Sequence, residues 1–130
     1  MSSCGTSVLV VDDHPDTAKM VTTALRRRGL DVHTVQSGED ALRLLAVLKP
    51  QVVVMDEMMP GITGLEVLST MRSTTDLKQT KVVFYSASYD IEKQKTAVGL
   101  GVAAWMVKGV SRLGDLVTKV EQLCTDQEPN

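Results

Sequence analysis

Two short runs, Val8-Leu9-Val10-Val11 and Val52-Val53-Val54-Met55, are apolar at every position and contain no polar alternation. A strand with one wet face alternates with a period of two, so an unbroken β-branched run marks a strand covered on both faces. Strands of that kind belong at the centre of a parallel sheet between helical layers. Hydrophobic residues make up 43% of the chain but aromatic residues only 3%, so Val, Leu, Met and Ala must fill those layers.

Three further β-branched or apolar runs, Asp31 to Val35, Val82 to Tyr85 and Ala104 to Val107, complete a set of five expected strands with Ser7 to Val11 and Val52 to Met55. Helical patterns lie between them. Pro15 suits the first turn of a helix, and Arg28-Gly29 reads as its basic last turn and glycine stop. Ser37 precedes Asp40 by three residues and Thr63 precedes Glu66 by three, both resembling capping boxes. Lys49-Pro50 is expected to terminate the second helix, and Leu113, Leu116, Val117, Val120 and Leu123 give the last helix one apolar stripe. Alternating strands and helices joined by right-handed crossovers predict an open α/β fold.

The 130 residues suit one domain. The apolar content excludes disorder, and 14 Lys plus Arg against 16 Asp plus Glu, a formal charge of −2, offers no general positive field for nucleic acid. The longest apolar stretch free of charge, Thr96 to Val107, is far shorter than the roughly 20 residues needed to span a bilayer. The first ten residues lack a basic start and an apolar segment, so no secretory signal is expected and the chain is placed in the cytoplasm. Cys4 and Cys124, with no partner at metal-ligand or redox spacing, are expected to be ordinary reduced thiols.

In an open α/β sheet, sites form beyond the carboxyl ends of the strands. There the chain places Asp12-Asp13 after the first strand, Asp56-Glu57 after the third, Ser86 after the fourth and Lys108 at the end of the fifth. A nucleotide site would put glycines after the first strand to cradle phosphate. Carboxylates stand there instead. If Asp12, Asp13 and Asp56 converge to about 4 to 5 Å, each ionised pair repels by roughly 3 to 4 kcal/mol at an effective dielectric of about 20. A bound cation relieves that repulsion, and hard oxygen ligands with no imidazole or thiolate expected nearby select Mg²⁺, with Mn²⁺ as a substitute. Such a metal would attract a phosphoryl group.

These residues carry a resemblance. Val8 to Asp13, then Asp56-Glu57-Met58-Met59-Pro60-Gly61-Ile62-Thr63-Gly64, then Ser86 after 30 residues and Lys108 after a further 22, together resemble the receiver domain of two-component response regulators, over about Ser7 to Leu123. The resemblance implies a doubly wound five-stranded parallel sheet of flavodoxin-like order 2-1-3-4-5 with helices on both faces. It divides the chain into an N-terminal extension (1–6), a receiver domain (7–124) and a short tail (125–130).

The resemblance also implies roles. Asp56 would accept a phosphoryl group from a histidine kinase or histidine phosphotransfer protein, its carboxylate acting as nucleophile. Asp13, Asp56 and the Met58 backbone carbonyl would bind Mg²⁺ directly and Asp12 through water. Ser86 and Lys108 would contact phosphoryl oxygens, and Trp105, three residues before the lysine, would turn inward and alter the surface of the fourth helix, fifth strand and fifth helix. The family more often has Tyr or Phe in place of Trp105 and proline in place of Gly109. His14 reads as a helix-start residue, His33 as solvent-facing, and Arg26-Arg27-Arg28 as cations complementing a helix dipole.

The expected function is therefore a phosphorylation-controlled switch that is not a turnover enzyme and whose output is a protein target, with no direct nucleic-acid or membrane contact, as a monomer or weak dimer. A receiver cut from a hybrid kinase or longer regulator and acting in a phosphorelay is an alternative, as is a non-phosphorylated pseudo-receiver. Phosphatases of the haloacid dehalogenase type also form aspartyl phosphates, but they need a second acid two residues after the nucleophile, where this chain has Met58.

Overall fold

The computed structural model describes residues 7–126. Five strands, β1 (Ser7–Val11), β2 (Asp31–Val35), β3 (Val52–Met55), β4 (Lys81–Ser86) and β5 (Ala104–Val107), alternate with five helices, α1 (Pro15–Arg26), α2 (Gly38–Leu45), α3 (Gly64–Arg72), α4 (Ile91–Gly99) and α5 (Leu113–Asp126). The strands form one sheet of order β2-β1-β3-β4-β5, parallel throughout. Val10 pairs with Thr34 on one side and Val54 on the other, so β1 is interior as its sequence requires.

Because side chains alternate across a sheet, each central strand feeds two cores. Val8, Val10, Val52, Val54, Val83 and Tyr85 pack against Ala18, Val21 and Leu25 of α1 and Leu116, Val117 and Val120 of α5. Leu9, Val11, Val53, Met55, Val82 and Phe84 pack against Ala41 and Leu45 of α2, Val67, Leu68 and Met71 of α3, and Ala97 of α4. Each fully buried aliphatic side chain stabilises the fold by about 1.5 to 3 kcal/mol relative to exposure.

The helix ends depart from expectation in detail. α1 stops at Arg26, and Gly29 follows at φ +82°, the left-handed conformation a glycine stop supplies. Only Arg26 lies in the last turn, and its guanidinium donates to the Val32 carbonyl at 2.8 Å, while Arg28 pairs with Glu121 at 2.6 Å. These arginines therefore fasten α1 to β2 and α5 besides meeting a dipole. Thr63 and Glu66 form a complete capping box. Ser37 accepts from the Asp40 N–H, but the Asp40 carboxylate pairs with Arg43 instead of returning to the cap. α2 ends at Leu45, before Lys49-Pro50, whose lysine donates to the Ala46 carbonyl at 3.1 Å. β4 takes in Lys81 and Ser86 beyond the expected run. α5 continues through Thr125 to Asp126, past the expected domain end at 124; residues 1–6, with Cys4, and 127–130 lie outside the described residues. Burial, followed by the charge of Glu121, pushes the Cys124 thiol pKa up, which fits an inert thiol.

Arg72 at the end of α3 ties the far edge together. It donates to the carbonyls of Leu100, Thr80, Gly101 and Leu77 at 2.7, 2.9, 3.2 and 3.3 Å, and burial lowers its pKa. Lysine offers a single ammonium and cannot span four acceptors held by two segments. Arg72→Lys is expected to cost about 2 kcal/mol, measured as a lower urea midpoint at unchanged slope.

Candidate acidic site at the carboxyl edge

β1 and β3 are neighbours, so the residues following them emerge side by side at the carboxyl edge. The Asp12 N–H donates to Val35 O at 3.1 Å and the Asp56 N–H to Val11 O at 2.9 Å, which continues the ladder one residue past each strand. The side chains of Asp12 and Asp56 are thereby drawn inside, at 4% and 2% exposure. Asp13 remains partly open, yet its Oδ1 is buried without a hydrogen-bond partner. Oxygens of Asp12, Asp13 and Asp56 and a nitrogen of His14 lie within 4.8 Å of one another. The three acids expected to converge do converge.

Lys108 provides the compensating cation. Its Nζ donates to Asp12 Oδ2 at 2.9 Å and to Asp56 Oδ2 at 3.3 Å and lies 5.8 Å from the centroid of the Tyr85 ring. Burial acts to lower its pKa, but the Asp12 hydrogen bond and the charges of Asp56 and Asp12 outweigh burial, and the net direction is up. Gly109 follows at φ +85°, and no peptide bond among the described residues is cis. Ser86, fully buried at the end of β4, accepts from the Ser88 N–H at 3.2 Å. Met58 exposes its side chain while its N–H donates to Asp56 Oδ1 at 3.1 Å. Trp105 is half-buried, its ring 5.0 Å from that of Phe84 and its indole N–H donating to Ser88 O at 3.1 Å.

Two features escaped sequence reasoning. His14 does sit at the start of α1, in the N-cap position without a side-chain cap bond, but its ring folds back over the acids, with Nδ1 3.1 Å from Asp12 Oδ1, 3.3 Å from Asp13 Oδ1 and 3.6 Å from Asp56 Oδ2. The expectation of no imidazole near the carboxylates is therefore corrected. The cause is local: the His14 N–H donates to Asp12 Oδ1 at 2.8 Å, closing a turn that returns the side chain to its neighbour. Adjacency to the acid pair was the available signal. Glu57, at 1% exposure, pairs with Lys93 of α4 at 3.1 Å. Nothing local to either residue pointed to the other, 36 positions away.

Strands that deliver carboxylates, a hydroxyl and a lysine to one edge of a doubly wound sheet define a class of phosphoacceptor signalling domains. The chain belongs to the response regulator receiver domain family, whose model matches residues 8–121. It is 36% identical over 127 residues to the response regulator GacA of Pseudomonas aeruginosa, covering 92% of this chain and 56% of that protein. Identity to the regulatory protein AtoC of Escherichia coli is 33% over 101 residues, 78% of this chain and 22% of AtoC. The chain thus spans little more than half of one relative and under a quarter of the other. The receiver domain of Francisella response regulator 1452 superposes with a TM-score of 0.85 at 27% identity, covering 94% of this chain and 98% of that one. Chemotaxis response regulator CheY4 of Vibrio cholerae gives 0.82 at 26%, covering 90% and 97%. Receiver domains are signalling switches that bind Mg²⁺ in an acidic pocket and are phosphorylated by histidine kinases. No described helix is long and apolar enough to cross a membrane.

The buried Asp13 Oδ1, which accepts no hydrogen bond and lies 3.3 Å from the His14 ring, supports a cation among these acids, since a buried carboxylate oxygen that accepts no hydrogen bond is otherwise costly. Mg²⁺ binding only the folded site should raise the melting temperature. Asp13→Asn is expected to abolish most of that rise in a thermal melt with and without MgCl₂; an undiminished response would remove Asp13 from the site.

Proposed function

We propose that Asp56 is the phosphoacceptor of this receiver. Its carboxylate oxygen attacks the phosphorus of a phosphohistidine on a histidine kinase or phosphotransfer protein; the new O–P bond forms as the N–P bond breaks, and the imidazole leaves with the bonding pair and takes up a proton. The observation carrying this reading is the convergence of Asp56 with Asp12, Asp13 and Lys108 at the carboxyl ends of β1, β3 and β5.

Asp13, Asp56 and the Met58 carbonyl would hold Mg²⁺, with Asp12 acting through water; the ion neutralises charge on the transferring group. Lys108, already directed at Asp56 Oδ2, would receive a phosphoryl oxygen, and Ser86 would exchange its Ser88 contact for another. The indole of Trp105 donates to that same Ser88, and the N–H of Asp90, which caps α4, donates to Ser88 Oγ at 3.3 Å, so a shift of the Ser86–Ser88 turn would reach β5 and α4, and their face with α5 would be the surface read by a downstream protein. The test is incubation with a small phosphodonor and Mg²⁺, followed by mass analysis. A single phosphoryl mass gain mapping to Asp56 is expected. No gain would leave a pseudo-receiver, and steady hydrolysis of unrelated phosphate esters would indicate a phosphatase.

A further inference from the structure

We infer that His14 makes the acidic site a four-donor site of mixed nitrogen and oxygen character, one that takes a first-row transition cation of the Co²⁺, Fe²⁺ or Zn²⁺ kind in preference to Mg²⁺. This rests on the reading of Asp12, Asp13 and Asp56 as a divalent-cation site. Its own observation is the position of one nitrogen. Nδ1 of His14 lies 3.1, 3.3 and 3.6 Å from one oxygen each of Asp12, Asp13 and Asp56. Donors in adjacent positions around a metal with bonds of about 2.0 to 2.2 Å stand about 2.8 to 3.1 Å apart in an octahedral shell and about 3.3 to 3.6 Å apart in a tetrahedral one. The nitrogen thus sits at ligand spacing from three carboxylates simultaneously.

A surface ion pair needs no such arrangement, because one carboxylate suffices to pair an imidazolium. Asp12 presents Oδ2 to Lys108 and Oδ1 to His14, while Asp56 turns one oxygen, Oδ2, toward both side chains, 3.3 Å from Lys108 Nζ and 3.6 Å from His14 Nδ1. The buried Asp13 Oδ1, which has no hydrogen-bond partner, is the atom that faces His14 at 3.3 Å. The His14 side chain itself is well exposed, so an ion can arrive from solvent between the ring and the acids. Nδ1 lies within hydrogen-bond distance of Asp12 Oδ1, and ligation would exchange that contact for a bond from the Nδ1 lone pair, with the ring proton on Nε2. Nitrogen ligation favours Co²⁺, Fe²⁺ and Zn²⁺, whereas all-oxygen sites suit Mg²⁺.

The test uses the full chain, Co²⁺ and Mg²⁺. In the wild-type protein, proton NMR of the Co²⁺ complex is expected to show a hyperfine-shifted, exchangeable imidazole N–H, and calorimetric titration a preference for Co²⁺ over Mg²⁺. His14→Phe, which keeps a ring, should lose that resonance and reduce the preference about tenfold or more. Co²⁺ binding without the resonance, or an unchanged preference in the variant, would overturn the role of His14 while leaving the carboxylate site intact. A resonance that persists in His14→Phe would assign it to His33 beside Asp31 and overturn the inference equally. Absence of binding by either ion to folded protein, verified by circular dichroism, would overturn the cation site itself.

Discussion

Gly64→Ala is expected to lower stability by about 3 kcal/mol, a drop in melting temperature of roughly 10 °C for a domain of this size. A Cβ at this position would stand 2.6 Å from the Asp56 carbonyl oxygen, 2.7 Å from Phe84 Cε1 and 2.8 Å from Glu57 Cα. Two of those three atoms are backbone, and the third belongs to a fully buried ring, so no flexible side chain can yield. The Gly64 N–H also donates to Glu57 O at 3.0 Å, which closes the β3–α3 loop that holds Asp56. Relief of the clash must displace the acceptor loop, so Mg²⁺ affinity should fall together with stability. Gly114→Ala in α5 is the control: nothing lies within 4 Å of its Cβ, and a gain of a few tenths to about 1 kcal/mol is expected from helix propensity alone. Equal urea midpoints for the two variants would show that Gly64 is not tightly packed.

The second large effect is expected at Lys108. Lys108→Met removes the cation that hydrogen-bonds both Asp12 and Asp56, leaving two nearly buried carboxylates facing each other. Loss of one partner from a buried ion pair costs about 3 to 5 kcal/mol; Asp12 and Asp56 retain their backbone and His14 contacts, so about 2 to 4 kcal/mol is expected here. Because Mg²⁺ would supply the missing charge, its stabilising effect should be larger in the variant than in the wild type, whereas Asp13→Asn diminishes it. The pH dependence has a definite sign. The folded-state pKa of Lys108 is raised, so its contribution is fully present below the ordinary lysine value of about 10.4 and disappears as pH climbs through the higher folded value. The gap between wild type and Lys108→Met should therefore persist through neutral and mildly alkaline pH and close only beyond the ordinary lysine range. A gap that closes near neutrality would contradict the pairing.

Much of the architecture was legible because burial on both faces leaves a mark in the sequence itself. The runs at β1 and β3 show no alternation, and the structure sandwiches both between helices. The carboxyl-edge residues were legible for a related reason: once the strands are placed, whatever follows them must gather at one end. What the sequence did not reveal were features decided by side-chain direction. His14 was assigned correctly as a helix start, yet adjacency to Asp12-Asp13 alone does not show that an Asp12 turn swings the ring over the acids. Lys49-Pro50 looked like a helix terminus, but α2 had already ended at Leu45, because a proline sets only an outer limit on a preceding helix. The Glu57–Lys93 pair and the four carbonyls under Arg72 depend on tertiary packing between distant segments and have no local signature.

The all-parallel sheet has a consequence for biosynthesis. β1 leaves the ribosome well before its partner on the β3 side, which begins only at Val52, so a nascent chain carrying β1, α1 and β2 but not β3 has one completed ladder and one bare, largely apolar edge. No hairpin can cover that edge early, since every strand here must wait for a helix to cross over. Stalled translation in this interval should yield sticky, chaperone-dependent intermediates, while stalls after β3 has emerged should be far better tolerated.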